Sequence, residues 1–228
     1  MPVTSRSTFR IVILEDHVLF AESLELALSV EGYDVLRVPI PEREQAPGAL
    51  TNRVTRLRPR VALLDLDLGS FGDGEKLIEP LARAGVNVVV VTASVDRARW
   101  GEAVRWGARK VLSKSRPLND ILATVRRLNQ GQQVMAPQER EELLAAWNEE
   151  RAHLVEHHAR LDRLTVRERV VLAHLMKGST VREIAVESVV AEATVRTQVK
   201  SILAKLDVSS QLAAVGMAHH VGWRPPAG

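Results

Sequence analysis

Short apolar runs alternate with amphipathic stretches through the first half of the chain. β-branched runs fall at residues 11–14, 33–38, 61–64, 86–91 and 110–112. Between them, apolar positions recur at helical spacing over residues 18–30, 50–57, 75–84, 98–106 and 118–128. Five strands alternating with five helices require right-handed crossovers, and predict a doubly wound α/β domain on a five-stranded parallel sheet. The second helix has the weakest pattern, because Pro47-Gly48 interrupts it.

The pattern then changes. Gly131 to Pro137 marks the end of the first domain, and residues 138–161 contain no Gly or Pro. One long linker helix is expected there. Trp147, Leu154 and Leu161 fall seven apart, with Leu143 and Leu144 one turn earlier. That is either a seam for self-association or a face packed on one of the domains. From Leu164 on, the pattern is compact and helical. Thr165-Val166-Arg167-Glu168 and Thr180-Val181-Arg182-Glu183 both match a capping box, with Gly178 as a helix stop between them. Further helices near 192–206 and 210–219 complete an all-α four-helix unit. The expected organisation is a first domain over 9–131, a linker helix over 132–162 and a second domain over 163–220.

Composition narrows the chemistry. With 46% hydrophobic and 26% charged residues among 228, the chain is neither disordered nor fibrous. It has no cysteine, which excludes disulfides, thiolate zinc sites and cysteine nucleophiles and fits a cytoplasmic setting. The first apolar run stops at Glu15-Asp16, too short for a leader, and no stretch is long enough to span a membrane. The net charge of +3 says little by itself. Its distribution is more telling: an acidic segment at 137–163 separates two mildly basic parts. His153 and His157, four apart beside His158, have a metal-ligand spacing but no further ligands nearby.

In an open α/β sheet, ligands sit beyond the carboxyl ends of the strands. Four such ends carry chemistry here: Glu15-Asp16, Asp65-Leu66-Asp67, Thr92-Ala93-Ser94 and Ser113-Lys114-Ser115. With strand one central and beside strand three, Glu15, Asp16 and Asp65 converge. Crowded carboxylates repel unless a cation joins them, and oxygen-only ligands suit Mg²⁺. A carboxylate beside Mg²⁺ can attack a phosphoryl group, whose oxygens Lys114 and Thr92 are placed to hold.

On these residues the segment 9–131 resembles the receiver domain of bacterial two-component response regulators. Ile11-Val12-Ile13-Leu14-Glu15-Asp16 matches the family's first strand and acidic pair, and Leu63-Leu64-Asp65-Leu66 its phosphoacceptor strand. Thr92 matches the switch hydroxyl and Lys114 the invariant lysine. The resemblance implies that Asp65 accepts a phosphoryl group from a histidine kinase. It also implies that Asp16 and Asp65 ligate Mg²⁺ with the backbone carbonyl of Asp67, while Glu15 acts through water. Three positions depart from the family. Gly69 stands where a proline is usual, the loop 69–74 is one residue longer, and Val111 replaces the switch aromatic. Trp106, on the fourth helix near the far face to which the threonine–aromatic pair reports, is a candidate contact residue, and Trp100 reads as packing.

Residues 164–215 resemble the LuxR-type helix-turn-helix of NarL/FixJ-type regulators. The matching residues include Leu164-Thr165, Arg167-Glu168, Val171-Leu172, Gly178, Glu183-Ile184-Ala185, Thr194-Val195, Val199, Ile202-Leu203, Lys205-Leu206 and Val208-Ser209. On a helix starting near Glu192, Arg196, Thr197 and Lys200 share a face, leaving Val195, Val199 and Ile202 for the core. Arg196 suits a guanine edge, and Lys200 can reach guanine or phosphate. Arg167, Thr194, Gln198, Ser201 and Lys205 are candidates for phosphate contacts. Ala191 stands where a capping serine is usual, and Gln198 where histidine is frequent.

The expected protein is a DNA-binding transcriptional response regulator and not an enzyme. Double-stranded DNA, a histidine kinase, a second copy of the chain and RNA polymerase are its expected partners, with no membrane. One alternative is a regulator whose receiver is no longer phosphorylated and serves only to dimerise. Another is a phosphatase of the haloacid-dehalogenase type, whose Asp-x-Asp motif Asp65-Leu66-Asp67 resembles.

Overall fold

The computed structural model describes residues 8–42 and 48–225. Pro47 and the first seven residues of the segment read as no leader lie outside the described residues. The chain divides into two compact units, Met1–Asn148 and Glu149–Gly228. Among the described residues no helix is long and apolar enough to cross a membrane.

The first unit alternates strand and helix as its sequence pattern predicts. The strands are β1 (Arg10–Leu14), β2 (Asp34–Arg37), β3 (Val61–Leu64), β4 (Asn87–Thr92) and β5 (Lys110–Ser113). The helices are α1 (Val18–Val30), α2 (Ala49–Arg56), α3 (Glu75–Arg83), α4 (Arg97–Arg105) and α5 (Leu118–Asn129), followed by α6 (Pro137–Asp162). All pairings are parallel, in the order β2-β1-β3-β4-β5. Successive strand residues point to opposite faces. Val12, Leu14, Ala62, Leu64, Val88 and Val90 therefore pack in one core with residues of α2, α3 and α4. Ile11, Ile13, Leu63, Val89 and Val91 pack in another with residues of α1 and α5. Two covered faces explain why the strands read as continuous apolar runs rather than alternating ones. Gly48 opens α2 with a left-handed backbone (φ 74°).

α6 starts on the first unit. Leu143 is buried in the α2–α4 core together with Met135, while Trp100 and Leu144 pack partly buried against it. Lys110 Nζ pairs with Glu139 Oε1 at 2.6 Å, and the Arg105 guanidinium lies 5.9 Å from the ring centres of both Trp106 and Trp147.

The second unit holds the end of α6 with α7 (Val166–Met176), α8 (Val181–Glu187), α9 (Glu192–Leu206) and α10 (Gln211–His220). Both capping boxes form, at Thr165/Glu168 and at Thr180/Glu183. Leu161, Leu172, Ile184, Val195, Ile202 and Leu206 belong to one buried core. Trp147, Leu154 and Leu161 thus do not share one environment along α6. Leu161 is fully buried in the second unit's core, while Leu154 stays half-exposed. His153 and His157 stack on each other at 6.5 Å, and His157 meets the ring of His220 edge-on at 5.9 Å.

Candidate functional site

The register of the sheet builds an acidic pocket. Leu14 pairs with Leu64, so Glu15 and Asp65 leave the sheet at the same level. Thr92 pairs with Ser113, which delivers Lys114 beside them from β5. Lys114 Nζ donates to Asp65 Oδ2 at 2.6 Å and to Glu15 Oε1 at 2.8 Å. Burial pushes the Lys114 pKa down, but hydrogen bonds and charge from Asp65 and Glu15 outweigh it, and the net shift is upward. The ammonium also lies 5.1 Å from the centre of the Phe20 ring, on α1. Asp65 and Thr92 are 3% and 0% exposed. Thr92 Oγ1 accepts from the Ser94 amide at 3.1 Å, and Asp65 Oδ1 accepts from the Asp67 amide at 3.3 Å.

The donor set fits a hard divalent cation. Glu15, Asp16, His17 and Asp65 each bring a ligand atom within 4.8 Å of the others. Three of the four are carboxylates, the chemistry Mg²⁺ takes. Gly69 leaves room for the Asp16 carboxylate: its φ is 56°, and a Cβ there would stand 2.8 Å from Asp16 Oδ2. Proline, with φ held near −65°, cannot occupy that backbone. A glycine is thus suited to this loop, where an Asp67–Asp73 bridge encloses a 3-10 turn over Gly69–Phe71. Gly74 allows an equally close approach, since a Cβ there would meet the Asp65 carbonyl oxygen at 2.1 Å.

Arg99 was missed by sequence reasoning, which saw only a polar position on α4. The Asp96 side chain caps α4 by accepting from the amides of Ala98 and Arg99, at 2.8 and 3.2 Å. From that first turn the guanidinium reaches back over the β3–α3 loop. It donates to Glu75 Oε1 at 2.5 Å and to the Leu66 carbonyl at 3.2 Å, and pairs with Asp67 Oδ1 at 2.9 Å. Asp67 thus directs its carboxylate to Arg99 and only its amide to Asp65.

On α9, Val195, Val199 and Ile202 face the core, and Arg196, Thr197 and Lys200 are exposed together. Arg196 pairs with Glu192 at 3.1 Å, and Thr197 Oγ1 donates to the Ala193 carbonyl at 3.0 Å. Arg167 and Thr194 are exposed, and Gln198 is half-buried. Ser201 and Lys205, expected among the phosphate contacts, both engage Glu168 within the domain. Ser201 Oγ donates to Glu168 Oε1 at 2.6 Å, and Lys205 Nζ donates to Oε2 at 2.6 Å. A carboxylate buried beneath α9 needs its charge compensated, and these are the groups within reach. Sequence spacing places Ser201 and Lys205 on a polar strip of α9 but does not reveal that Glu168 lies under it. Ala191, at the N-cap of α9, makes no side-chain cap bond.

The two halves match two known families. Residues 11–126 match the response regulator receiver domain, and residues 162–218 match the luxR family of bacterial regulatory proteins. The probable transcriptional regulatory protein NarL of Mycobacterium tuberculosis is 30% identical over 211 residues, covering 92% of this chain and 93% of its own. The transcriptional regulatory protein LnrK of Bacillus subtilis is 29% identical over 212 residues, covering 90% and 94%. A solved structure of the RcsB response regulator of Salmonella typhimurium shares the fold at 21% identity, with a TM-score of 0.50 over 93% of this chain and 98% of that one. The chain belongs to the NarL/FixJ-type response regulators, transcriptional regulators in which a receiver domain precedes a LuxR-type DNA-binding domain.

Proposed function

We propose that Asp65 accepts a phosphoryl group from a histidine kinase in a Mg²⁺-dependent reaction, and that this controls dimerisation and binding to double-stranded DNA. The receiver extends over 9–131 and the DNA-binding domain over 163–220, joined by 132–162. The observation that carries this reading is the Lys114 ammonium bridging buried Asp65 and Glu15 beside Asp16. Asp16, Asp65 and the Asp67 carbonyl would hold Mg²⁺, with Glu15 acting through water. When bound, the ion neutralises charge between the carboxylate and the incoming phosphoryl oxygens.

Asp65 attacks through the oxygen that Lys114 leaves free. The new O–P bond forms as the P–N bond of the phosphohistidine breaks, and the imidazole leaves with the electron pair. Lys114 and the Thr92 hydroxyl then hold phosphoryl oxygens. Asp67 argues against the phosphatase alternative. That chemistry needs a second carboxyl free to move protons at Asp65, and Arg99 holds the Asp67 carboxylate in an ion pair.

The exposed face of Arg196, Thr197 and Lys200 would enter the major groove, with Arg167, Thr194 and Gln198 toward the backbone. The partners are DNA, the kinase, a second copy and RNA polymerase, in the cytoplasm. The test is labelling with Mg²⁺ and a small-molecule phosphodonor. Wild type gains one acid-stable, hydroxylamine-labile phosphoryl group, and Asp65→Asn gains none. An Asp65→Asn protein that labels like wild type overturns the reading.

A further inference from the structure

We propose that Arg99 is the positioning residue through which the state of the Asp65 pocket reaches helix α6. The proposal rests on the reading of Asp65 as phosphoacceptor. Its basis is one side chain that ties the pocket's loop to a helix which itself touches α6.

The loop end is multiply held. The Arg99 guanidinium engages Asp67, the Leu66 carbonyl and Glu75, with Asp73 at 3.5 Å. Leu66 and Asp67 directly follow Asp65, and the Asp67 amide donates to Asp65 itself. Two loop carboxylates and Glu75 of α3 share this one guanidinium, and the Glu75 pair, with side chains 21% and 17% exposed, is the one shielded from solvent on both sides. The helix end is fixed too. The Arg99 amide is bound by the Asp96 cap, and Trp100 Nε1 donates to the Ser94 carbonyl at 3.0 Å. Gly101, two residues on, lies against the backbone of Leu143 in α6.

A displacement of the loop therefore pulls on the first turn of α4, and α4 cannot shift without disturbing its seam with α6. Phosphorylation replaces the single negative charge of the Asp65 carboxylate with the nearly two of an acyl phosphate, a net gain of about one beside the loop that Arg99 holds. Val111 on β5 is a small aliphatic residue buried in the core.

The test uses the full chain as wild type, Arg99→Gln, Arg99→Lys and Arg97→Gln. Arg97, two positions earlier on the same helix, pairs with Glu142 of α6 and points to another face than Arg99. Hydrogen exchange of amides 137–147 is measured with and without phosphorylation, at matched phosphoryl occupancy determined by intact mass. Wild type and Arg97→Gln should change about fivefold or more on phosphorylation, as expected of a coupled site. Arg99→Gln should change less than about twofold, which signals lost coupling. Arg99→Lys keeps the charge without the fork and should fall between them.

A wild-type response in Arg99→Gln overturns the proposal. So does its failure to take up the phosphoryl group, which would make Arg99 part of the chemistry instead. Should Arg99→Gln fail to fold by circular dichroism, a full wild-type response in Arg99→Lys overturns the proposal. Labelled wild type without a change in α6 sinks the relay alone, whereas unlabelled wild type sinks the reading of Asp65 and the relay with it.

Discussion

Gly101 and Leu143 bring two helices together backbone to backbone. A Cβ on Gly101 would stand 2.0 Å from the Leu143 carbonyl oxygen and 2.8 Å from the Trp147 Cβ. Gly101→Ala therefore cannot gain the usual helix-propensity benefit of about 0.5–1 kcal/mol. It should destabilise the first unit by about 1–3 kcal/mol through overpacking. A urea melt followed by tryptophan fluorescence checks this, and unchanged or raised stability would show that α6 can move aside freely.

Leu154 and Leu161 should separate sharply. Leu161 is fully buried, so Leu161→Ala should cost about 2–5 kcal/mol of second-unit stability. Leu154→Glu should leave both units folded and report on self-association alone. If α6 pairs between copies, sedimentation equilibrium will show a weaker dimer for Leu154→Glu. An unchanged balance assigns α6 to contacts within one chain.

Glu168 makes second-unit stability depend on acid. Burial raises its pKa, but Lys205, Ser201 and Thr165 bonds overcome this and hold it at about 2 against 4.5 for a free carboxyl. A group depressed in the folded state contributes stability that is complete above its unfolded value. That stability is lost as pH falls from 4.5 through about 2. At about 1.4 kcal/mol per pH unit, the whole contribution is about 3 kcal/mol. Glu168→Gln should flatten the stability profile in that window, as read by denaturant melts of the full chain. An equally steep acid loss in the variant would place the titrating group elsewhere.

Val189 sits in the turn before α9 with φ 55°, a left-handed backbone that β-branched residues resist. The side chain is 89% exposed, so little packing is lost with it. Val189→Gly should stabilise the second unit by about 1 kcal/mol, from relief of backbone strain. A lower melting temperature would show that strain there is small.

Arg196 and Lys205 should differ in kind on DNA. Arg196→Ala should cost about 1–3 kcal/mol and relax preference at one base pair of each half-site of an inverted repeat. Lys205→Ala should instead destabilise the domain by unpairing Glu168, with little change in the salt dependence of binding. Affinity for single-base operator variants at two salt concentrations, beside a melt, separates the two. Equal weakening on all variants by Arg196→Ala would remove it from base reading, and a salt slope lowered by about one would return Lys205 to the phosphates.

The chemistry of the pocket is legible in the sequence because it stands at strand ends. Glu15, Asp65, Thr92 and Lys114 each close or follow an apolar run, and parallel pairing brings such ends to one edge. Arg99 is not legible there, because its partners at Leu66, Asp67 and Glu75 lie 24 to 33 residues away. Gly69 reads as a departure until its backbone angle explains it.

Local order is what the sequence determined by itself. Burial on both faces wrote continuous apolar runs for the strands, and the capping boxes at Thr165 and Thr180 bond within three residues. These effects act between near neighbours, so spacing alone reveals them. Tertiary structure decided the rest: which end of α6 each core takes up, that α4 and α6 meet at Gly101, and that Glu168 claims Ser201 and Lys205. A buried carboxylate must find its partners wherever the fold brings them, and a glycine marks a close approach only once the approaching backbone is known.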